Sequence, residues 1–157
     1  MEKIDDFHGK NLFLSNFYIA DVEYEGIVYK SSEHAFQAAK TLNPEERIMV
    51  ASAETPGQSK KAGHNVTLRN DWDLVKASVM FEIVNKKFHS HPVLATKLME
   101  TYPKELIEGN TWSDHFFGVC NGYGKNILGR ILMIVREALM IEKRIGKEVD
   151  FDKEFLK

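Results

Sequence analysis

The chain has 157 residues, with 21 basic and 23 acidic side chains, a net charge of −2 and a mean hydropathy of −0.33. That length suits one domain spanning 1–157 with its own core, and the charge balance excludes the basic footprint of a dedicated nucleic-acid binder. One cysteine, Cys120, excludes an internal disulfide and fits a reducing compartment.

The first residues, "MEKIDDFHGK", carry acids and lack the apolar stretch of a signal peptide. The apolar run "ILMIV" (131–135) is too short to span a bilayer. The expectation is a soluble, cytoplasmic monomer. "NLFLSNFY" is apolar and aromatic, with Ser15 and Asn16 set inside it. "ADVEYEGIVYKS" alternates around Glu25-Gly26 and predicts a β-hairpin. Residues 31–40, "SSEHAFQAAK", follow as a short helix. Asn43-Pro44-Glu45-Glu46 reads as an N-cap, a first-turn proline and a capping-box glutamate. Thr55-Pro56 repeats the device for a helix that Gly63 ends. In "NDWDLVKASVMFEIVNKKF", Trp72, Val75, Val79 and Ile83 share one helical face. His91-Pro92 opens another helix, and "TYPKELIEGN" is expected to hold a short one. A glycine-rich loop then leads into a long apolar helix, "KNILGRILMIVREALMIEKRI". The sum is a mostly helical α+β domain with one small sheet near the N-terminus.

The helix at 31–40 poses the first chemical question. At about 100° per residue, Glu33, Gln37 and Lys40 fall within about 60° of one another, flanked by Phe36. Ala35, Ala38 and Ala39 lie opposite, where small side chains allow close approach of another element. A polar stripe on a helix packed by its alanines is the expected wall of a pocket. The competing reading is a solvated face, since Glu33 and Lys40 are too far apart for an i,i+4 pair.

The loop "DHFFGVCNGYGKN" (114–126) is the second candidate. Gly118, Gly122 and Gly124 precede a helix start, an arrangement that can aim backbone N–H groups at an anion. It lacks the spacing of a Walker A loop, and Asn126 stands where that loop has Ser or Thr. The alternative, and on spacing alone the commoner case, is a long connection whose glycines only serve its turns. Asp114 heads the loop beside Phe116 and Phe117, a setting able to perturb a carboxyl. Serine-hydrolase and zinc signatures are missing, and no metal or other cofactor is expected. His89 and His91 read as surface histidines near a helix end, and Cys120 as a buried or half-buried thiol. Trp72 is open between a core anchor and a ligand contact. Arg130 and Arg136 read as surface or salt-bridge residues.

"FLSNFY", "YKSSEHAFQAAK", "LRNDWDLVKASVM" and "SDHFFGVCNGYGKNILGRILMIVREAL" together closely resemble the NADAR (YbiA-like) family, in order and spacing, from about Phe13 to Leu139. The resemblance implies an N-glycosidase. Members remove ADP-ribose from guanine or cleave phosphoribosylamino-pyrimidine intermediates of riboflavin synthesis. It also implies that Glu33, Lys40, Trp72 and Asp114 belong to the site, with Gly118 and Asn126 in the same pocket. The chain departs from the family's D-x-x-W-G, having Phe117 before Gly118; phenylalanine keeps a stacking face and loses the indole donor.

Those residue types suit cleavage of a C1–N bond. A carboxylate near C1 offsets the charge of an oxocarbenium-like transition state or activates water, and an acid or cation assists the leaving base. Glu33 and Asp114 are the expected carboxylates. Lys40 is left as proton donor or, if burial lowers its pKa, as amine nucleophile. Ser15, Asn16, Gln37, Trp72, Phe117, Gly118, Gly122, Gly124 and Asn126 are the expected binding residues. The expected partner is a small molecule or a single modified nucleotide, with an ADP-ribosyltransferase acting upstream. A riboflavin-pathway substrate, or a non-catalytic reader of ADP-ribose, are the alternatives.

Overall fold

The computed structural model describes residues 2–155, and the side chains of residues 2–147. A short strand β1 (Lys3–Ile4) leads into a 3-10 turn over Gly9–Leu14. Strands β2 (Ile19–Tyr24) and β3 (Ile27–Ser31) pair antiparallel, as the alternation predicts. Their connection uses Glu25 at φ 47° and Gly26 at φ 88°, the left-handed pair that a two-residue hairpin turn requires.

Helix α1 (Ser32–Ala39) follows without a linker. Ser31 caps it, its hydroxyl accepting the His34 N–H at 3.2 Å and meeting the His34 ring Nδ1 at 2.7 Å. The helix is buried along its whole length, so it is the central strut rather than a one-sided wall. Helix α2 (Pro44–Ala51) begins at Asn43, whose side chain accepts the Glu45 and Glu46 N–H groups. The expected reciprocal capping-box bond does not form. The Glu46 carboxylate instead accepts from the Thr41 hydroxyl and from the backbone and hydroxyl of Thr67. Helix α3 (Pro56–Gly63) is capped by Thr55 as expected.

Helix α4 (Trp72–Ser90) packs on α1, β2 and the later helices, with Trp72, Val79 and Ile83 buried. Helix α5 (Pro92–Glu100) starts after His91. The helix expected in "TYPKELIEGN" is absent. Glu105–Leu106 forms β4, which pairs parallel with β1 through Glu105 N–H to Glu2 O and Ile107 N–H to Ile4 O. Pairing of Lys3 with Glu105, 102 residues away, overrides a weak local preference, and gives a second two-stranded sheet rather than one. Helix α6 (Ile127–Phe155) packs against α4, α5 and β4. Arg136 on α6 is buried, not a surface residue: its guanidinium donates to Thr101 Oγ1 and Lys104 O and lies over the Tyr102 ring. Cys120 is buried, while His89 meets Glu142 and His91 meets the Asp21 carbonyl. Among the described residues, no helix is long and apolar enough to cross a membrane.

Lys87 on α4 is 1 % exposed and donates to the Phe13 and Ser15 carbonyls at 2.8 and 3.0 Å. It thereby ties the 3-10 turn and the following Ser15 segment to the core. Burial pushes its amine down to about 7 from an ordinary 10.5. Between those values the unfolded chain holds a proton that the folded chain releases, so this group makes stability rise with pH across that window. Its contribution to the slope is up to about 1.4 kcal/mol per pH unit. Chemical denaturation of wild type and Lys87→Met from pH 7 to 10 should therefore show the wild-type slope as the more positive. Equal slopes would remove Lys87 as the titrating group.

Candidate active site

A cavity of about 570 Å³ opens between the Ser15–Phe17 turn, α1, α3, α4 and the loop running from β4 to α6. Its size is that of a small-molecule site. Phe7, Phe17, Phe36, Trp112 and Phe117 supply aromatic walls, and Glu33, Glu108 and Asp114 supply three carboxyls. Lys60 from α3 adds a cation and lies 5.5 Å from the Trp112 ring centre.

Glu33 enters the cavity from the first turn of α1. It is 7 % exposed, and its Oε1 accepts the Gln37 amide at 2.7 Å, one turn on. Burial raises its carboxyl above the usual range, against the opposing pull of the Gln37 bond, Lys60 and Lys40. A methyl at Gly63 would overlap the Gln37 side chain, so the bare backbone at the end of α3 lets α3 close on α1. The Ser15–Phe17 turn is stitched to the same helix start: the Asn16 carbonyl accepts the Glu33 N–H at 3.0 Å. Ser15 Oγ in turn accepts the Phe17 N–H.

Asp114 is held from the other side of the sequence. Its Oδ1 accepts the N–H groups of Phe116 and Phe117 at 3.1 and 2.9 Å. Asn110 binds its backbone in both directions, accepting the Asp114 N–H and donating to the Asp114 carbonyl. The same Asn110 amide donates to Glu108 Oε2 at 3.3 Å, so one carboxamide pins two acids. Burial, with Asp114 nearby, pushes the Glu108 carboxyl up to about 7.

Of the residues expected from the sequence, the cavity wall brings together Ser15, Asn16, Glu33, Gln37, Asp114 and Phe117. Phe117 packs edge-on against Phe36 at 5.3 Å. Lys40, Trp72, Gly118, Gly122, Gly124 and Asn126 are not on that wall. Lys40 closes α1 through its backbone N–H; burial lowers its amine, and the Glu33 charge raises it. Trp72 is 8 % exposed and packs on Phe36 with ring centres 5.1 Å apart and planes tilted by 54°, so it supports the wall from the core.

The glycine loop does not present an anion nest. The N–H groups of Lys125, Asn126, Ile127 and Leu128 donate to the carbonyls of His115, Gly118, Phe116 and Phe117, which occupies the start of α6. Gly122 and Gly124 serve a turn at φ 84° and 153°. Asn126 bridges β4 to α6, accepting the Glu108 N–H and donating to the Leu106 carbonyl, both at 2.9 Å.

Sequence reasoning missed Glu108, Asn110, Trp112 and Lys60. Glu108 fell inside a segment read as helix, and Lys60 inside the helix that Thr55-Pro56 opens. Trp112 carried a usable signal, a large aromatic in a polar loop two residues before Asp114.

Residues 5–140 match the NADAR domain model, and the chain belongs to that family. It is 38 % identical over 132 residues to the N-glycosidase YbiA of Shigella flexneri, covering 82 % of each chain. It is 35 % identical over 131 residues to an N-glycosidase of Nostoc punctiforme, covering 80 % of this chain and 83 % of that one. It is also 38 % identical over 138 residues to a riboflavin biosynthesis protein of Vibrio vulnificus, covering 86 % of this chain and 36 % of that protein. The solution structure of Escherichia coli YbiA superposes with a TM-score of 0.79 at 33 % identity, covering 91 % of this chain and 89 % of that one.

Proposed function

We propose that the protein is an N-glycosidase that hydrolyses the bond between a ribose C1 and a base nitrogen, removing ADP-ribose from ADP-ribosylated guanine. The observation that carries the reaction class is the convergence of Glu33 and Asp114 on one aromatic-walled cavity. In that low-dielectric setting, a carboxylate offsets the positive charge that grows on the sugar as the C1–N bond lengthens. The other carboxylate takes a proton from the water that adds to C1. Lys40, off the wall, acts through its charge on Glu33. The products are ADP-ribose, carrying a new hydroxyl at C1, and the unmodified guanine.

Two features support the larger substrate. Phe17 and Trp112 line the cavity and are 41 % and 54 % exposed, giving two separate stacking faces for the two bases of an ADP-ribosyl-guanine unit. Lys60 beside Trp112 offers a cation to a phosphate. In this reading the enzyme acts after a guanine-modifying ADP-ribosyltransferase. The riboflavin-biosynthesis name of the Vibrio vulnificus relative favours a second reading, cleavage of a phosphoribosylamino-pyrimidine.

Chromatography of the products separates the two. The purified protein should release ADP-ribose and the unmodified guanine nucleotide from an ADP-ribosyl-guanine nucleotide with a higher kcat/KM than it releases pyrimidine from the riboflavin-type substrate. The reverse order would assign it to the second substrate, and binding of ADP-ribose without product from either would make it a reader.

A further inference from the structure

Cleavage at C1 leaves one part of the chemistry unassigned: the base nitrogen must gain a proton as it takes the bonding pair. Glu33 and Asp114 are committed to the sugar and the water in the reaction proposed above, on which this inference rests. Glu108 is the third carboxyl on the cavity wall.

Its placement is built from several directions. The Glu108 N–H donates to Asn126 Oδ1 at 2.9 Å, and its carbonyl accepts the Val119 N–H at 2.8 Å. Its Oε2 accepts from the Asn110 amide at 3.3 Å. Gly118 lies against the carboxyl so closely that a methyl there would overlap Glu108 Oε2 and the Glu108 carbonyl. Gly118 and Asn126 thus bear on Glu108 rather than on the cavity. The backbone of Asn126 is at φ 53°, a left-handed conformation in which asparagine is enriched among non-glycine residues.

We propose that Glu108 is the general acid of the reaction, donating its carboxyl proton to the departing base nitrogen. In the balanced step, the C1–N bond breaks and its electron pair goes to nitrogen, which takes the Glu108 proton. Water oxygen bonds to C1 and gives its proton to the carboxylate that acts as base. Glu108 recovers a proton from solvent as that base releases one, so the net change is the addition of water across the C1–N bond. An acid for this task must hold its proton near neutral pH. Asp114 and Glu33 face Glu108 and favour its protonated form, as does burial; Lys60 and the Asn110 bond oppose them, and the net position is about 7. His8, which also lines the cavity, is engaged with Asp6.

The test is the pH profile of kcat for wild type and Glu108→Gln, on an ADP-ribosyl-guanine nucleotide and on a phosphoribosylamino-pyrimidine. Whichever of the two the wild type cleaves serves as the reporter, so failure of the guanine substrate alone corrects the substrate and not the acid. Wild-type kcat should fall on the alkaline side of about pH 7. Glu108→Gln should lower kcat by about 10²- to 10³-fold with little change in KM, and should lose the alkaline limb. A merely structural role would change stability and leave that limb in place. A folded Glu108→Gln protein with kcat within about threefold of wild type, or with the alkaline limb intact, would overturn the proposal. Wild type inert on both substrates would overturn it together with the reaction it rests on.

Discussion

Glu33→Gln is expected to lower kcat by about 10²- to 10³-fold, the effect of removing one electrostatic stabiliser worth on the order of 3–4 kcal/mol in the transition state. The substitution keeps the shape, and the glutamine carbonyl can still accept the Gln37 amide that Glu33 Oε1 accepts now. KM should change little, because the charge on the sugar exists only as the bond breaks. Stability should move the other way. A carboxyl whose pKa is raised by burial, as that of Glu33 is, holds its proton more firmly folded than unfolded. Its contribution is therefore fully present below the ordinary carboxylate pKa of 4.5 and is lost as pH rises through the folded value. Glutamine has no charge to bury, so the variant should be at least as stable as wild type at neutral pH while far less active. Steady-state kinetics and thermal melts on the same preparation check both halves. A stable variant at near wild-type kcat would remove Glu33 from the chemistry.

The second large effect is expected at Asp114. Asp114→Asn retains an oxygen to accept the Phe116 and Phe117 N–H groups, so the loop should keep its form while the charge is lost. The expected loss is again about 10²- to 10³-fold in kcat. This variant carries a second signature. The charge of Asp114 is one of the causes that raise the Glu108 carboxyl, so without it the Glu108 pKa falls toward the ordinary range. The alkaline limb of the residual activity should shift to lower pH, since the acid then loses its proton sooner. An unchanged limb would show that the two carboxyls do not act on each other during turnover.

Much of this architecture is legible locally. The alternation around Glu25-Gly26 and the caps at Asn43 and Thr55 act within a few residues, and each element forms where those signals fall. The stripe of Glu33 and Gln37 is equally local, and both reach the cavity. Lys40 shares their phase and keeps helical backbone at φ −63° and ψ −23°, and its charge acts on Glu33, but it is not on the cavity wall. The losses come from contacts that are remote in sequence. β4 exists because β1 lies beside it, and its pairing takes Glu105 out of the helix that "PKEL" predicts and leaves Glu108 in the loop beyond. The glycine loop misleads for a related reason. Amides at a helix start are an anion site only when free, and here the loop's own carbonyls fill them, which spacing alone does not reveal.

The central claim is that this cavity breaks a ribose C1–N bond by adding water. The most direct measurement is product mass after turnover in ¹⁸O-labelled water, with wild type and Glu33→Gln side by side. One labelled oxygen should appear in the sugar product at C1, with the restored base unlabelled and with Glu33→Gln forming product at about a hundredth of the wild-type rate or less. Label in the base, a sugar product without label, or an equal rate from Glu33→Gln would contradict hydrolysis at this site.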